Sequence, residues 1–301
     1  MADDARTSSP GSTRSRARPR LLAVLLGLAV AVFVPATTLH ASALVATGNP
    51  HPYYVALGDS LSRGDQPNGA GKTKNTQHGY VDDLYKFYHQ QVPGLLLDKL
   101  GCPGESTTTM IHGGLCSYSL GSQLNQAVAF VTTHDVAFMT IDIGANNVDG
   151  CIKGTSIDGN CVIAGITTAS QELPVILGTL RAAAPTVPIF AMNYYDPFLA
   201  LWLLGPSEHA LAQATAGIGH SYNNILGAVY AAFSVPVADV ETAFHGLDQT
   251  NVPALNLPLN VATVCAWTWM CAPAPRGPNI HLNATGYAVV AATFETTIGT
   301  I

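Results

Sequence analysis

Four short blocks of the chain carry residue types that acyl transfer needs. Gly58-Asp59-Ser60-Leu61 sets a serine hydroxyl where an apolar run, Tyr53 to Leu57, breaks into a turn. Gly104 lies in a Cys-Pro-Gly turn, and Gly144-Ala145-Asn146-Asn147 follows a second apolar run. His281 stands just ahead of a C-terminal helical stretch. A serine hydroxyl attacks a carbonyl poorly until an adjacent base accepts its proton. A histidine can be that base, and later the acid that protonates the leaving alcohol. The tetrahedral intermediate carries new negative charge and needs donors already in position. Taken singly the blocks say little, because Gly, Asp and Ser are ordinary turn residues and serine also caps helices.

Together and in this order, the blocks resemble those of the GDSL or SGNH hydrolases, which are serine esterases and lipases. The resemblance runs from about Tyr53 to the C-terminus. It implies that Ser60 is the nucleophile and His281 the base, the latter set in Asn279-Ile280-His281-Leu282-Asn283-Ala284. It assigns the oxyanion donors to the backbone N–H of Ser60, the backbone N–H of Gly104 and the side-chain amide of Asn146. Glycine at 104 lets the backbone approach a substrate closely. Asn146 offers an N–H donor without the desolvation cost of an ion. The implied reaction is hydrolysis of a carboxylic ester through an acyl-enzyme, with no metal and no organic cofactor.

The chain departs from the family in two places. Many members carry Asp three residues before the catalytic His; here that position is Pro278, and no carboxylate stands between Ala272 and Ile280. Two ways to orient His281 remain. A backbone carbonyl near residues 275–279 could accept from Nδ1, giving a Ser–His dyad, with the Cys265–Cys271 loop and its Trp267 and Trp269 as a brace. Otherwise a distant acid, Asp239 or Asp248, could fold in. The carbonyl is the favoured reading. The second departure is Asn147, where many members have Asp; that position orders the loop. Asp59, although next to Ser60, is expected to serve loop structure. His78, His112 and His245 read as surface polar residues.

Apolar runs near 53–57, 95–100, 136–142, 188–193 and 235–239 read as strands. Helical stretches lie near 79–91, 120–133, 162–183, 207–233 and 284–298. Such alternation means a parallel sheet covered on both faces, joined by right-handed crossovers. The resemblance implies a flavodoxin-like three-layer α/β/α sandwich around a mostly parallel five-stranded sheet, which agrees. Ligands of open α/β sheets sit beyond the carboxyl ends of the strands. Ser60, Gly104 and Asn146 follow the first three strands, so the three are expected to meet at one crevice.

Residues 1–43 read as a secretory signal peptide rather than fold. Arg14, Arg16, Arg18 and Arg20 precede an apolar stretch from Leu21 to Val34, and small residues end in Ala41-Ser42-Ala43. Cleavage is expected after Ala43. The apolar stretch is short of the roughly 20 residues of a spanning helix, though an uncleaved leader would be an anchor. The whole chain has 13 basic and 19 acidic residues. Without the five Arg and two Asp of the leader, 8 basic and 17 acidic remain, a net charge of −9. That argues against nucleic acid or an anionic membrane as partner. Residues 44–301 form one domain, expected to be a secreted monomer that meets a small-molecule or lipid ester and touches a lipid surface at most transiently.

Six cysteines suit an oxidising compartment. They allow 15 connectivities. Pairing of neighbours (Cys102 with Cys116, Cys151 with Cys161, Cys265 with Cys271) is favoured because each pair flanks one loop and because three-bridge patterns occur among secreted family members. No C-x-x-C or H-E-x-x-H spacing suggests a metal.

The stretch from Tyr194 to Leu204 follows a strand end and is too apolar to lie freely in water. It reads either as a wall of an acyl-chain pocket built on Tyr194, Phe198 and Trp202, or as a buried helix on the sheet. Two other readings of the whole chain stay open: an acetyl esterase acting on carbohydrate, and a secreted lipid- or glycan-binding module without turnover.

Overall fold

The computed structural model describes residues 51–301, so the leader and the expected cleavage after Ala43 lie outside the described residues. Five strands build one sheet: β1 (Tyr53–Gly58), β2 (Leu96–Lys99), β3 (Val136–Asp142), β4 (Ile189–Met192) and β5 (Val237–Ala238). Their order is β2-β1-β3-β4-β5, and every neighbouring pair is parallel. This is the flavodoxin order, with β1 beside the point where the winding reverses. The five apolar runs read from the sequence are these five strands.

Period-two alternation sorts the strand residues onto two faces. Val55, Leu57, Met139, Ile141 and Ala191 join one buried cluster. Its helices are α2 (Thr107–His112), α3 (Gln123–Val131), α4 (Gly159–Ala183) and α5 (His209–Ala232). They add Met110, Leu124, Leu173, Leu177, Leu226 and Tyr230. Tyr54, Ala56, Phe138, Phe190 and Met192 point the other way. They meet Tyr80, Leu84 and Tyr88 of α1 (Tyr80–Gln91) and Tyr287, Val290 and Phe294 of α8 (Ala284–Ile298). Each fully buried large apolar side chain here contributes about 1.5–3 kcal/mol. With both faces filled, the sheet's carboxyl-end edge is left to hold a site.

Helix starts follow local chemistry. Ser122 caps α3 by accepting from Asn125 N–H, Asp158 caps α4 through Cys161 N–H, and Asn283 caps α8 through the N–H groups of Thr285 and Gly286. The sequence pattern does not foreshadow α2, the short α6 (Val240–Ala243) or α7 (Leu259–Trp267). Three two-residue hairpins also escape it, at Gln66–Pro67 with Thr73–Lys74, Ile152–Lys153 with Ser156–Ile157, and Asn251–Val252 with Leu257–Pro258. All are too short for periodicity to register. Disulfides join Cys102 to Cys116, Cys151 to Cys161 and Cys265 to Cys271, the neighbour pairing expected.

Candidate active site

β1 ends at Gly58, whose φ of +135° suits glycine alone, and a Cβ there would run into the Asp142 carboxyl at the end of β3. That close approach turns the chain so that Ser60 stands at the strand end. Across the crevice comes His281, whose Nε2 lies 2.9 Å from Ser60 Oγ. Its Nδ1 lies 2.7 Å from Asn279 Oδ1.

The Asn279 contact decides the tautomer. The backbone N–H of His281 donates to the same Oδ1 at 3.0 Å, and the amide nitrogen, Nδ2, donates to Thr73 Oγ1 at 2.9 Å. The group facing His281 is therefore the acceptor oxygen, so Nδ1 carries the proton. Nε2 is then left with its lone pair toward the serine. Neither sequence option for orienting His281 is what the structure shows. Asn279 does it with a side-chain carbonyl, not a backbone one. Asp239 instead accepts from Asn193 and caps α6, and Asp248 accepts from Thr250 N–H. Asn279 carries no charge, yet an amide oxygen two residues from a histidine can close an Asx-type turn onto it.

The histidine's own loop is held from several sides. Tyr195 Oη donates to Ile280 C=O at 2.7 Å. Trp269 N–H donates to His281 C=O at 2.9 Å, and Asn279 N–H to Trp269 C=O at 3.2 Å. The Cys265–Cys271 loop thus braces the segment, as its position in the sequence suggested. Burial pushes the His281 pKa down to about 4, since no charged partner compensates the desolvated imidazolium.

Asn146 follows β3 in a one-turn 3₁₀ segment, Ala145–Asn147. Its Nδ2 donates to Asp59 Oδ2 at 3.1 Å and to Glu105 C=O at 3.0 Å. Both amide hydrogens are therefore engaged in the resting arrangement. The other two expected donors differ: among the described residues, neither Ser60 N–H nor Gly104 N–H has a hydrogen-bond partner. Gly104 is exposed, at φ +82°, between ties at Cys102 N–H to Gly58 C=O and Glu105 C=O to Asn146. Asn147 exchanges two hydrogen bonds with Thr107 at the start of α2, the loop-ordering part expected of it.

Asp59 accepts from Leu61 N–H at 2.9 Å as well as from Asn146, and makes no bond to His281. Burial pushes its pKa up to about 6. Asp142, beneath it, accepts from Tyr80 Oη and Ser62 N–H, and burial followed by the Asp59 charge pushes it well above the carboxylate range. His78, His112 and His245 are exposed and outside the cleft, consistent with surface roles.

Beside Ser60 and His281 opens a cleft with about 850 Å³ of empty space, mouth included. Tyr194 and Phe198 line it; Trp202 does not. The segment Pro197–Leu204 is a 3₁₀ helix rather than an α-helix. Residues four apart lie on one face of an α-helix but about 120° apart at three residues per turn. Trp202 is accordingly turned away, stacked on His209 at 3.6 Å between ring centroids and packed with Leu199, Val261 and Val264. The segment therefore packs mainly on α5 and α7, not on the sheet. Wall residues that sequence reading missed include Ile152, Val162, Ile166, Ile218 and Tyr222, drawn from elements far apart in sequence.

The GDSL-like lipase/acylhydrolase family profile matches residues 56–289. The chain belongs to that family. Membership places it among ester hydrolases. A search of curated proteins gives no match. Among solved structures, an extracellular lipase from Streptomyces rimosus is similar, with a TM-score of 0.57 at 16% identity over 82% of this chain and 99% of the lipase. Phospholipase A1 from Streptomyces albidoflavus gives 0.55 at 17% identity, with 82% and 99% covered. An acetyl xylan esterase gives 0.52 at 12% identity, with 82% and 99% covered. At these identities the likeness is one of fold, and this family member shares it with all three.

Proposed function

We propose that the protein is a secreted serine hydrolase of carboxylic acyl esters, working through an acyl-enzyme of SGNH type. One observation carries this: Ser60 Oγ is 2.9 Å from the Nε2 of a histidine whose Nδ1 proton is fixed by Asn279. Nε2 takes the Ser60 proton as Oγ attacks the ester carbonyl, and the imidazolium returns it to the leaving alcohol. Water then attacks the acyl-enzyme with His281 again as base. Ser60 N–H and Gly104 N–H face the growing oxyanion as open donors. Asn146 joins them by releasing one of its two resting acceptors; the 3.1 Å bond to Asp59 is the longer. Asn279 stands where the family's acid would, without a charge. The leader pattern and three disulfides support secretion. A monomer, meeting lipid surfaces at most transiently, accords with the acidic balance of residues 44–301.

The mostly aliphatic and aromatic cleft favours an acyl chain over acetate. Hydrolysis of p-nitrophenyl esters from acetate to palmitate, with Ser60→Ala in parallel, tests this. The expected outcome is turnover best above acetate and a loss of about 10³-fold or more in the variant. Acetate preference would favour the carbohydrate acetyl esterase, and binding without turnover the non-catalytic module.

A further inference from the structure

Five residues of α5 line the cleft: Thr215, Ile218, Gly219, Tyr222 and Asn223. Spacings of three and four put them on one face of the helix. Val162 and Ile166, four apart, give the cleft a face of α4 as well. The space beside Ser60 therefore runs along helix faces, and what those faces carry decides what can lie in it.

Gly219 is the residue out of place on the α5 face. It sits near the middle of a 24-residue helix, where only proline is less favourable than glycine. One reason to keep a helical glycine is a close approach. On α4 that reason holds, because a Cβ at Gly165 would run into the Asn147 C=O. At Gly219 it does not. Beyond the helix's own backbone, and among the described residues, a Cβ there would meet only Asp196 Cβ, at 3.9 Å, an ordinary van der Waals contact. The room beside Gly219 is also held open. Asn223 accepts from Tyr194 N–H at 3.0 Å and donates to Tyr194 C=O at 2.8 Å, and Tyr222 Oη donates to Gly144 C=O at 2.9 Å. These bonds pin α5, one turn beyond Gly219, to the loops after β4 and β3. Asp196 is set by accepting from Phe198 N–H.

We propose that Gly219 is a specificity-determining residue: the acyl chain of the substrate crosses α5 at the gap left by its missing side chain, which admits esters of medium and long straight-chain acids. That the ligand is an ester rests on the function proposed above; the gap rests on the cleft alone. A side chain at 219 would fill with protein carbon the space that the acyl chain takes.

One consequence does not depend on turnover. Glycine here gives up helix stability and no contact requires it. Replacing it with alanine should therefore stabilise the fold and narrow the cleft in one step. Gly217 separates the two effects. It is exposed, about 200° round the helix from Gly219, and among the described residues a Cβ there meets nothing within 4 Å.

The test compares Gly219→Leu and Gly219→Ala with Gly217→Leu as the matched control. The first readout is the ratio of kcat/KM for p-nitrophenyl decanoate over acetate. The second is calorimetric binding of 2-decanone against 2-butanone, ketones that carry a carbonyl and no leaving group. Gly219→Leu is expected to lower the ester ratio by about 10²-fold, the equivalent of about three buried methylenes, and the ketone ratio by about tenfold or more. Gly219→Ala should lower both by less and raise Tm by about 2–4 °C. Gly217→Leu should leave both ratios unchanged. Should Gly219→Leu not fold by circular dichroism, the Tm and the ketone ratio of Gly219→Ala decide. Unchanged ratios in Gly219→Leu, an equal fall in Gly217→Leu, or a lower Tm in Gly219→Ala overturns the proposal. A ketone preference that Gly219→Leu removes, in a protein that turns over no ester, would sink the hydrolase reading and leave the gap standing. Ester turnover whose acyl-length ratio ignores Gly219→Leu would do the reverse.

Discussion

The two halves of the proposed catalytic pair are held in different ways. Ser60 stands on a sheet edge. Gly58 lies against Asp142, Asp59 ties Leu61 N–H to Asn146, and behind them are strands buried on both faces. His281 stands on an irregular strap between α7 and α8. Its position depends on an amide, a tyrosine hydroxyl, the backbone of the Cys265–Cys271 loop and the buried side chain of Leu282 next to it. The serine side fixes its polar atoms with buried carboxyls, and the histidine side uses only neutral groups. The difference teaches how burial is met on each side. Burial pushes Asp59 and Asp142 toward their protonated forms, where N–H and O–H donors also serve them, whereas His281 has no counter-charge and stays neutral.

Breaking the serine side should cost most. Asn146→Ala removes one proposed oxyanion donor and is expected to lower kcat by about 10²–10³-fold, with KM changing far less. Steady-state kinetics on the best p-nitrophenyl ester measure both. A loss below tenfold would mean that Asn146 stays bound to Asp59 and Glu105 throughout, and that the two backbone N–H groups suffice.

Breaking the histidine side should cost less, and it can also be improved. Asn279→Ala removes one hydrogen bond to Nδ1, expected at about 10–100-fold in kcat, the rate equivalent of about 1.5–3 kcal/mol. Only neutral His281 can accept the serine proton. With its pKa pushed down to about 4 by burial, wild-type activity should be level from neutral pH down to about 5 and fall as pH drops through 4. The unshifted value of about 6.5 would instead put the fall in the physiological range. Asn279→Asp sharpens the contrast: a carboxylate at Nδ1 favours imidazolium and should move the acid limb up by about 1–3 pH units. A limb that stays in place would show that the new carboxyl does not face the ring.

The substrate wall gives a smaller effect and a clean internal control. Phe198→Ala should shift preference among acyl lengths, because Phe198 lines the cleft. Trp202→Ala should leave relative rates unchanged, because the ring is turned toward His209. Equal shifts in both variants would mean that the 3₁₀ segment acts as one unit.

How far the sequence carries is also a matter of these two sides. The strands were legible because their apolar runs fill both faces of the sheet, and Ser60 and Asn146 through the family resemblance, which their places after those runs support. The disulfide pairing was favoured by the loops each pair flanks together with the family's three-bridge pattern. Asn279 was not legible, because the family's pattern sets a carboxylate ahead of the histidine, whereas the chemistry needs only an acceptor. Trp202 departs from the expected pocket because residues four apart share one face only if the helix is α. The cleft's far wall, from Ile152 to Tyr222, gathers residues whose meeting depends on how α4 and α5 pack, and no local pattern records that.

The smallest expected effect tests the orienting group by elimination. Asp239→Asn and Asp248→Asn should each retain activity within about twofold, since neither carboxyl touches His281 and surface changes away from such features are near neutral. Asp239 does cap α6, so a loss of some stability without loss of kcat is compatible with its place. A fall of about 10⁴ in kcat for either variant, the scale seen when a triad acid is neutralised, would mean that a carboxylate replaces Asn279 at Nδ1 in the working enzyme. The neutral character assigned to the histidine side would then fail, and with it the acid limb near pH 4.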